Sequence, residues 1–341
     1  MRRTDEAGGE VRKWVGASIR IALGVAAAWA VMRELRDVDP GTLRLEIASV
    51  SIARYALGIG CTVGSFLLLG VIEWMALRNC DGDRARRVPL SSAMRTGFVA
   101  NALSQSVGFA VLTGAAVRTR AYARHGLDAV GNAQATAFVT ITATLGLLAA
   151  GAVAVLADGG GVTIGVLSFA ARPTAFVLGG IVVAYVLWGV LGRGDGLGWR
   201  QWRVPRPTPR LAVGQVLLSA LDWLITGGVL YAFMPPHVGL RLGIVLGAYL
   251  VAQVVAVTSH VPAGAGVFEL VVVAILVRVD PGAPRAALAA ALVMFRVVYY
   301  VVPLCVAVVM AALTEWLRHR TQRSPFHDRG IVPTGVLENA R

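Results

Sequence analysis

Apolar runs close to 20 residues long, separated by short arginine-rich connectors, recur from one end of this 341-residue chain to the other. A helix rises about 1.5 Å per residue and a bilayer's hydrocarbon core is about 30 Å thick, so each run can cross a membrane. Composition agrees, with 56% of residues hydrophobic and 15% charged, where a soluble domain carries about a quarter charged residues. The fold class that follows is all-α, a polytopic integral membrane helical bundle.

The formal net charge of +13 would suggest nucleic acid as the partner of a soluble protein, but here the charges sit in connectors. Arg78, Arg84, Arg86, Arg87 and Arg95 follow the second run, Arg118, Arg120 and Arg124 the third. Further arginines fill the connector 193–210, and Arg318, Arg320 and Arg323 the tail. The positive-inside rule makes these segments cytoplasmic and leaves 158–161 and 234–237 external. No nucleic-acid partner is needed; anionic lipid headgroups are the natural counterpart. The amino terminus, MRRTDEAGGEVRKW, leads into the run Val15 to Met32 in the charge order of a signal sequence. That run is long and lacks a small-residue cleavage site, so it reads as an uncleaved span with both termini cytoplasmic. Cys61, Cys80 and Cys305 have neither pairing nor metal spacing and read as small core residues. No metal site and no cofactor is expected.

With the connectors as fixed points, full spans fall at about 14–34, 51–77, 127–156, 165–192, 211–233 and 285–316. Two apolar stretches remain, 91–118 and 241–279, and each must return to the face it left. The expectation is six full spans plus two broken-helix hairpins that enter from opposite faces. "GVIEWMALRN" from Gly70 and "SALDWLITGG" from Ser219 both place an acid beside tryptophan ahead of a hairpin. Together these features suggest an inverted repeat, 40–195 against 205–316, within one transmembrane domain, 1–316, followed by a basic and polar tail, 317–341. Such repeats hold substrate at their interface near the bilayer midplane.

The second hairpin carries "SHVPAGAGVFE", Ser259 to Glu269. Pro262 removes a backbone donor and Gly264 and Gly266 weaken the helix, so the helix from Leu242 should end near Val261. Broken backbone at membrane depth needs protein or a wet cavity around it, so the break faces inward. Glu269, in the first turn of the next helix, can draw in a cation or hold the turn by pairing with His260 or Arg296. The first hairpin offers Asn101, Ser104, Gln105, Ser106 and Thr113, with Arg118 and Arg120 at its mouth, where the arginine fork suits phosphate or simply sets topology. Arg296 lies in apolar sequence with Tyr299 and Tyr300 at i+3 and i+4, and calls for Glu269 or a lipid phosphate as partner. Glu73 and Asp222 belong to the polar interior or act as buried struts.

"TGFVANALSQSVGFAVLTGAAVRTRAY", "HVPAGAGVFE" and "FRVVYYVVPL" resemble, in this order over 90–316, segments of the membrane domain of bacterial bifunctional phosphatidylglycerol lysyltransferases, the multiple peptide resistance factors. The resemblance implies a flippase-type domain of the bacterial cytoplasmic membrane that moves an anionic or aminoacylated phospholipid, such as lysyl-phosphatidylglycerol, between leaflets. The synthase domain of that family has no counterpart before the sequence ends, so lipid synthesis is not expected, and no residue reads as catalytic. The membrane phospholipid is the expected partner, and a separately encoded synthase and a second copy of the chain stay open as further ones. The alternatives are an intramembrane transferase acting on a polyprenyl- or hopanoid-linked lipid, with His260 and Glu269 as acid and base, or a scaffold for a separate synthase. Cysteines placed at Asp83 and Arg203 should label only from the cytoplasm and one at Gly160 only from outside; cytoplasmic labelling at Gly160 overturns this topology.

Overall fold

The computed structural model describes residues 40–322 except 81–82, 108–109, 159–161, 165–166, 170, 193–195, 200–201, 235–238 and 259–261. The expected first span at 14–34 and most of the tail lie outside the described residues. Helix α1 (Pro40–Ser49) leads into α2 (Ile52–Arg78), and a single turn, α3 (Asp83–Arg86), precedes α4 (Leu90–Val107) and α5 (Ala110–Tyr122). Next come α6 (Ala129–Asp158), the short antiparallel pair β1 (Val162–Ile164) and β2 (Leu167–Phe169), and α7 (Ala171–Leu191). A second small hairpin, β3 (Gly196–Trp199) and β4 (Trp202–Pro205), sets Trp199 opposite Trp202. The remainder is α8 (Pro209–Phe233), α9 (Leu242–Thr258), a 3-10 turn at Pro262–Gly264, α10 (Val267–Val279), α11 (Arg285–Arg296), a π-helical turn at Val297–Val301 and α12 (Val302–Gln322).

Five stretches among the described residues are long and apolar enough to cross a membrane: Ile52–Arg78, Ala129–Leu156, Arg172–Leu191, Pro209–Phe233 and Arg285–Thr314. They coincide with five of the six expected spans. The fourth expected span begins later than its apolar run, because Val162–Ile164 and Leu167–Phe169 pair as β1 and β2 ahead of it. Helix α8 starts where Thr208 Oγ1 accepts from the Leu211 N–H at 3.3 Å and Pro209 fills the first helical position, where a missing donor costs nothing. By contrast α4, α5, α9 and α10 have 18, 13, 17 and 13 residues. At about 1.5 Å per residue none of the four reaches across a core of about 30 Å by itself. The outward faces are apolar: α7 alone exposes Phe176, Ile181, Leu187 and Leu191, as a lipid-facing helix should.

The interior is organised around α2 and α8, which run antiparallel. Gly58 meets Phe233, Cys61 meets Gly228, Ser65 meets Asp222 and Gly214 meets Met75. Small residues permit these approaches, since lipid tails are as apolar as the side chains and association depends on close van der Waals contact. Helix α6 closes on α8 in the same way: a Cβ at Gly146 would lie 2.1 Å from Ser219 Oγ. Polar groups fasten the same contact. Gln215 donates to Thr142 Oγ1 and accepts from the Tyr185 hydroxyl of α7, both at 2.7 Å, and Trp223 Nε1 donates to the Ala143 carbonyl at 2.9 Å. An aromatic stack, Phe268 on Phe295 on Tyr299, with centroids 5.5 and 5.6 Å apart and Tyr249 edge-on, joins α10, α11, the π-helical turn and α9. Gly146→Ala should lose about 1–3 kcal/mol by overpacking, seen as a lower melting temperature in detergent. Gly180→Ala, whose Cβ meets nothing within 4 Å, should melt as the parent does.

Candidate functional site

Three residues between α9 and α10 have left-handed backbone: Ala263 at φ 54°, Gly264 at φ 61° and Gly266 at φ 81°. Glycine accepts this at little cost, whereas alanine's Cβ crowds its own carbonyl by roughly 1–2 kcal/mol, so the surroundings must hold Ala263 in place. Arg296 of α11 does so. Its Nη1 donates to the Ala263 carbonyl at 2.6 Å, its Nη2 reaches the Gly264 carbonyl at 3.4 Å, and its Nε donates to Glu269 Oε1 at 2.5 Å. Glu269 Oε2 accepts from the Gly266 N–H at 2.8 Å, which is half of a capping box on the first turn of α10. The guanidinium also lies 4.7 Å from the Tyr300 ring centroid and 5.3 Å from that of Phe268. Two charges and the carbonyls freed by the break therefore satisfy one another, as buried backbone and buried charges must. The turn folds tightly onto α9, for a Cβ at Gly264 would lie 2.5 Å from that of Ala256. Helix α4 packs against the same turn, so the two pairs of short helices meet there.

A second ion pair lies in the other half of the chain. Glu73 of α2 is wholly buried and Arg118 of α5 is 4% exposed. Arg118 Nε donates to both carboxylate oxygens at 2.9 Å, Nη2 donates to Oε2 at 2.8 Å, and the Tyr122 hydroxyl donates to Oε1 at 2.9 Å. Glycines make the room: a Cβ at Gly97 would lie 3.2 Å from Gly70 Cα, and one at Gly114 would lie 2.8 Å from Arg118 Nη1. This corrects the expectation of a phosphate clamp at Arg118, whose donors on the Nε edge are already committed to a carboxylate. Arg120 is exposed. Beyond α5, His125 lies 3.3 Å from Ser92 Oγ, and burial, reinforced by Arg124 and Arg95, pulls its imidazole below the ordinary range.

Asp222 is the centre of a third cluster. Ser65 Oγ donates to Asp222 Oδ1 at 2.5 Å and lies 3.2 Å from Thr226 Oγ1 and 3.0 Å from the Tyr299 hydroxyl, and the Thr226 and Tyr299 oxygens are 3.0 Å apart. Tyr299 and Tyr300 do not share the face of Arg296 expected from α-helical spacing. The π-helical turn widens the helix, sending Tyr300 over Arg296 and Tyr299 onto Phe295 and into this cluster.

Of the other expected site residues, Asn101 donates to the Gly97 carbonyl at 2.8 Å within α4, and Ser104 is buried beside Gly114. Thr113 is half-buried on α5. Gln105 Oε1 is buried and has no hydrogen-bond partner among the described residues. His260 lies outside the described residues; Glu269 pairs with Arg296. Sequence reading missed Ser65, Thr226 and Tyr122. Tyr122 stands four residues after Arg118, a helical spacing that flags a shared partner. Ser65 and Thr226 carry no such signal, since small hydroxyl residues are common in spans and often bond their own helix, as Thr226 also does to the Asp222 carbonyl at 2.9 Å. Glu73→Gln should leave Arg118 buried and unpaired at a cost of about 3–5 kcal/mol, read as a collapse in accumulation or in detergent melting temperature. The double variant Glu73→Gln/Arg118→Met should recover most of that loss.

A model of the family described as the lysylphosphatidylglycerol synthase TM region matches residues 17–307. A Synechocystis protein described only as uncharacterized is 30% identical over 92% of this chain and 96% of its own length. Inner membrane protein YbhN of Escherichia coli is 26% identical over 75% of this chain and 79% of its own. The phosphatidylglycerol lysyltransferase of Staphylococcus haemolyticus is 24% identical over 88% of this chain, which corresponds to 34% of that longer protein. The matched region takes in every described helix from α1 to the start of α12, both buried ion pairs and the Asp222 cluster. This membrane protein therefore belongs to the lysylphosphatidylglycerol synthase TM region family.

Proposed function

We propose that this protein is a lipid translocase of the bacterial inner membrane. It moves an anionic or aminoacylated phospholipid, such as lysyl-phosphatidylglycerol, between leaflets and forms no covalent bond of its own. The observation that carries this reading is the contact of α4 with the Pro262–Gly264 turn. Helices too short to span, arranged as α4–α5 and α9–α10, meet where α4 packs on the Arg296-braced turn, and α4 also carries buried Ser104 and Gln105, whose Oε1 has no hydrogen-bond partner among the described residues. Discontinuous helices meeting in this way are the usual setting for a substrate site at the midplane of a transporter. In this reading the halves, about 40–195 and 205–316, are inverted repeats whose hairpins enter from opposite faces with both termini cytoplasmic. The antiparallel pairing of α2 and α8, each with an acid beside tryptophan, supports it. Relatives named phosphatidylglycerol lysyltransferase support a phosphatidylglycerol-type cargo. Arg120, exposed at the end of α5, suits the headgroup phosphate on the basic face, while Arg118 and Arg296 shape the cavity.

The test is reconstitution into liposomes carrying one fluorescent lipid at a time: phosphatidylglycerol, lysyl-phosphatidylglycerol or a polyprenyl phosphate. A membrane-impermeant reductant then reports leaflet exchange. Exchange of at least one phospholipid should be faster than in protein-free vesicles. Arg296→Lys, which keeps the charge but loses the grip on Ala263 and Glu269 together, should slow it. Rates equal to those of empty vesicles for all three lipids overturn the reading.

A further inference from the structure

Three carboxylates lie buried among the described helices, and two of them are matched by an arginine: Glu73 by Arg118 and Glu269 by Arg296. Asp222, 7% exposed, is surrounded by hydroxyl groups and pairs with no basic side chain among the described residues. An isolated carboxylate in an apolar bundle costs several kcal/mol, so some positive charge must accompany it for at least part of its working life.

The geometry narrows the choice of that charge. Ser65 Oγ and Asp222 Oδ1 are 2.5 Å apart, the spacing of two oxygens that share a proton. Two oxygens bound at a right angle to one hard cation, each at about 2.3–2.6 Å, stand more than about 3 Å from each other. Ser65 and Thr226 each have a single hydroxyl proton. Thr226 directs its own to the Asp222 main-chain carbonyl at 2.9 Å, so the Tyr299 proton is the one left to turn toward Ser65. Every hydroxyl of the cluster then donates a hydrogen bond, while Asp222 accepts from Ser65 at Oδ1 and keeps its second carboxylate oxygen open for a proton.

We propose that Asp222 is a proton-exchange site, and that loading it makes and breaks the hydroxyl network joining α2, α8 and the π-helical turn. Each turnover takes one proton from water onto the carboxylate and returns it. The site sits where these elements cross: Ser65 comes from α2, Asp222 and Thr226 from α8, and Tyr299 from a π-helical turn, a feature frequent at functional sites. The titratable groups facing it are Tyr299, Tyr249 of α9 and, one turn along α2, Cys61 beside Gly228. On α6 the polar neighbour is Thr142, and the α7 tyrosine, Tyr185, is engaged by Gln215 further along α8. The buried charged groups of α2, α5, α10 and α11 are held in the two ion pairs. If the chain moves lipid, this site links that movement to protons; the link rests on the translocase reading, whereas the site does not.

The two are separated by a readout that needs no lipid transport. Infrared difference spectra of the purified protein, scanned from about pH 4 to pH 9, should show a protonated-carboxyl stretch that titrates in the parent and is lost in Asp222→Asn. Ser65→Ala, which removes the closest donor, should keep the band and move its midpoint by about one pH unit or more. A band that titrates identically in parent and Asp222→Asn, or a parent with no titrating band in this range, overturns the site. Should Asp222→Asn fail to fold, an unmoved midpoint in Ser65→Ala overturns it equally. In liposomes the parent's exchange rate should change about tenfold per pH unit on its limiting limb, and that of Asp222→Asn should be flat. A titrating band with pH-independent exchange in the parent keeps the site and overturns its link to lipid, and a titrating band without any exchange overturns the translocase reading alone.

Discussion

A helix that stops among packed apolar helices needs something other than water to take up the backbone groups it abandons, and between α9 and α10 that something is Arg296. One guanidinium reaches the carbonyls of Ala263 and Gly264 and the carboxylate of Glu269, which in turn caps α10 through the Gly266 N–H. The arrangement settles three difficulties together: the left-handed Ala263, the freed carbonyls and two charges that would be costly alone. Around it the rest of the second half is assembled. Tyr300 and Phe268 cover the guanidinium, and the aromatic stack through Phe295 and Tyr299 carries the same packing to α9 and on to the Asp222 cluster.

The two ends of this polar interior obey a common rule with different parts. In the first half, glycines at 70, 97 and 114 bring α2, α4 and α5 close enough for Glu73 and Arg118 to pair in full burial. In the second, the glycines lie in the turn itself and the arginine comes from the following span. Asp222, between them, is served by hydroxyls from both halves of the chain. Residues that look interchangeable in sequence, three acids in apolar spans, thus have different surroundings and different chemistry.

Much of this could be read without a structure, for reasons that can be named. The spans followed from run length and the placement of arginine, because bilayer thickness and the positive-inside rule act on local sequence. The break at Pro262–Gly266 followed from proline and glycine, and the left-handed backbone falls at Ala263, Gly264 and Gly266. The partner of Arg296 was narrowed to Glu269 or phosphate by the cost of an unpaired intramembrane charge. What failed was the reading of Arg118 as a phosphate ligand: an arginine at the end of an apolar run looks the same whether it faces the mouth or turns inward. Only the close passage of α2 and α4 at Gly70 and Gly97 selects the second. The common face assigned to Tyr299 and Tyr300 failed because a π-helical turn changes the angular spacing and leaves no mark in composition.

The sequence by itself determined that the chain lives in a membrane, roughly where it crosses, where its helices must break and which charges would need company inside. These are properties of a residue and its near neighbours against a fixed solvent slab. Tertiary structure alone decided who keeps company with whom: Arg118 with Glu73, Arg296 with the turn, and the Asp222 cluster with Ser65 and Tyr299, 157 and 77 positions away along the chain. Such pairings depend on which helix faces approach to within hydrogen-bond distance. In a bundle where lipid and side chains are equally apolar, that is settled by small-residue contacts and polar geometry, and hydropathy carries no trace of it.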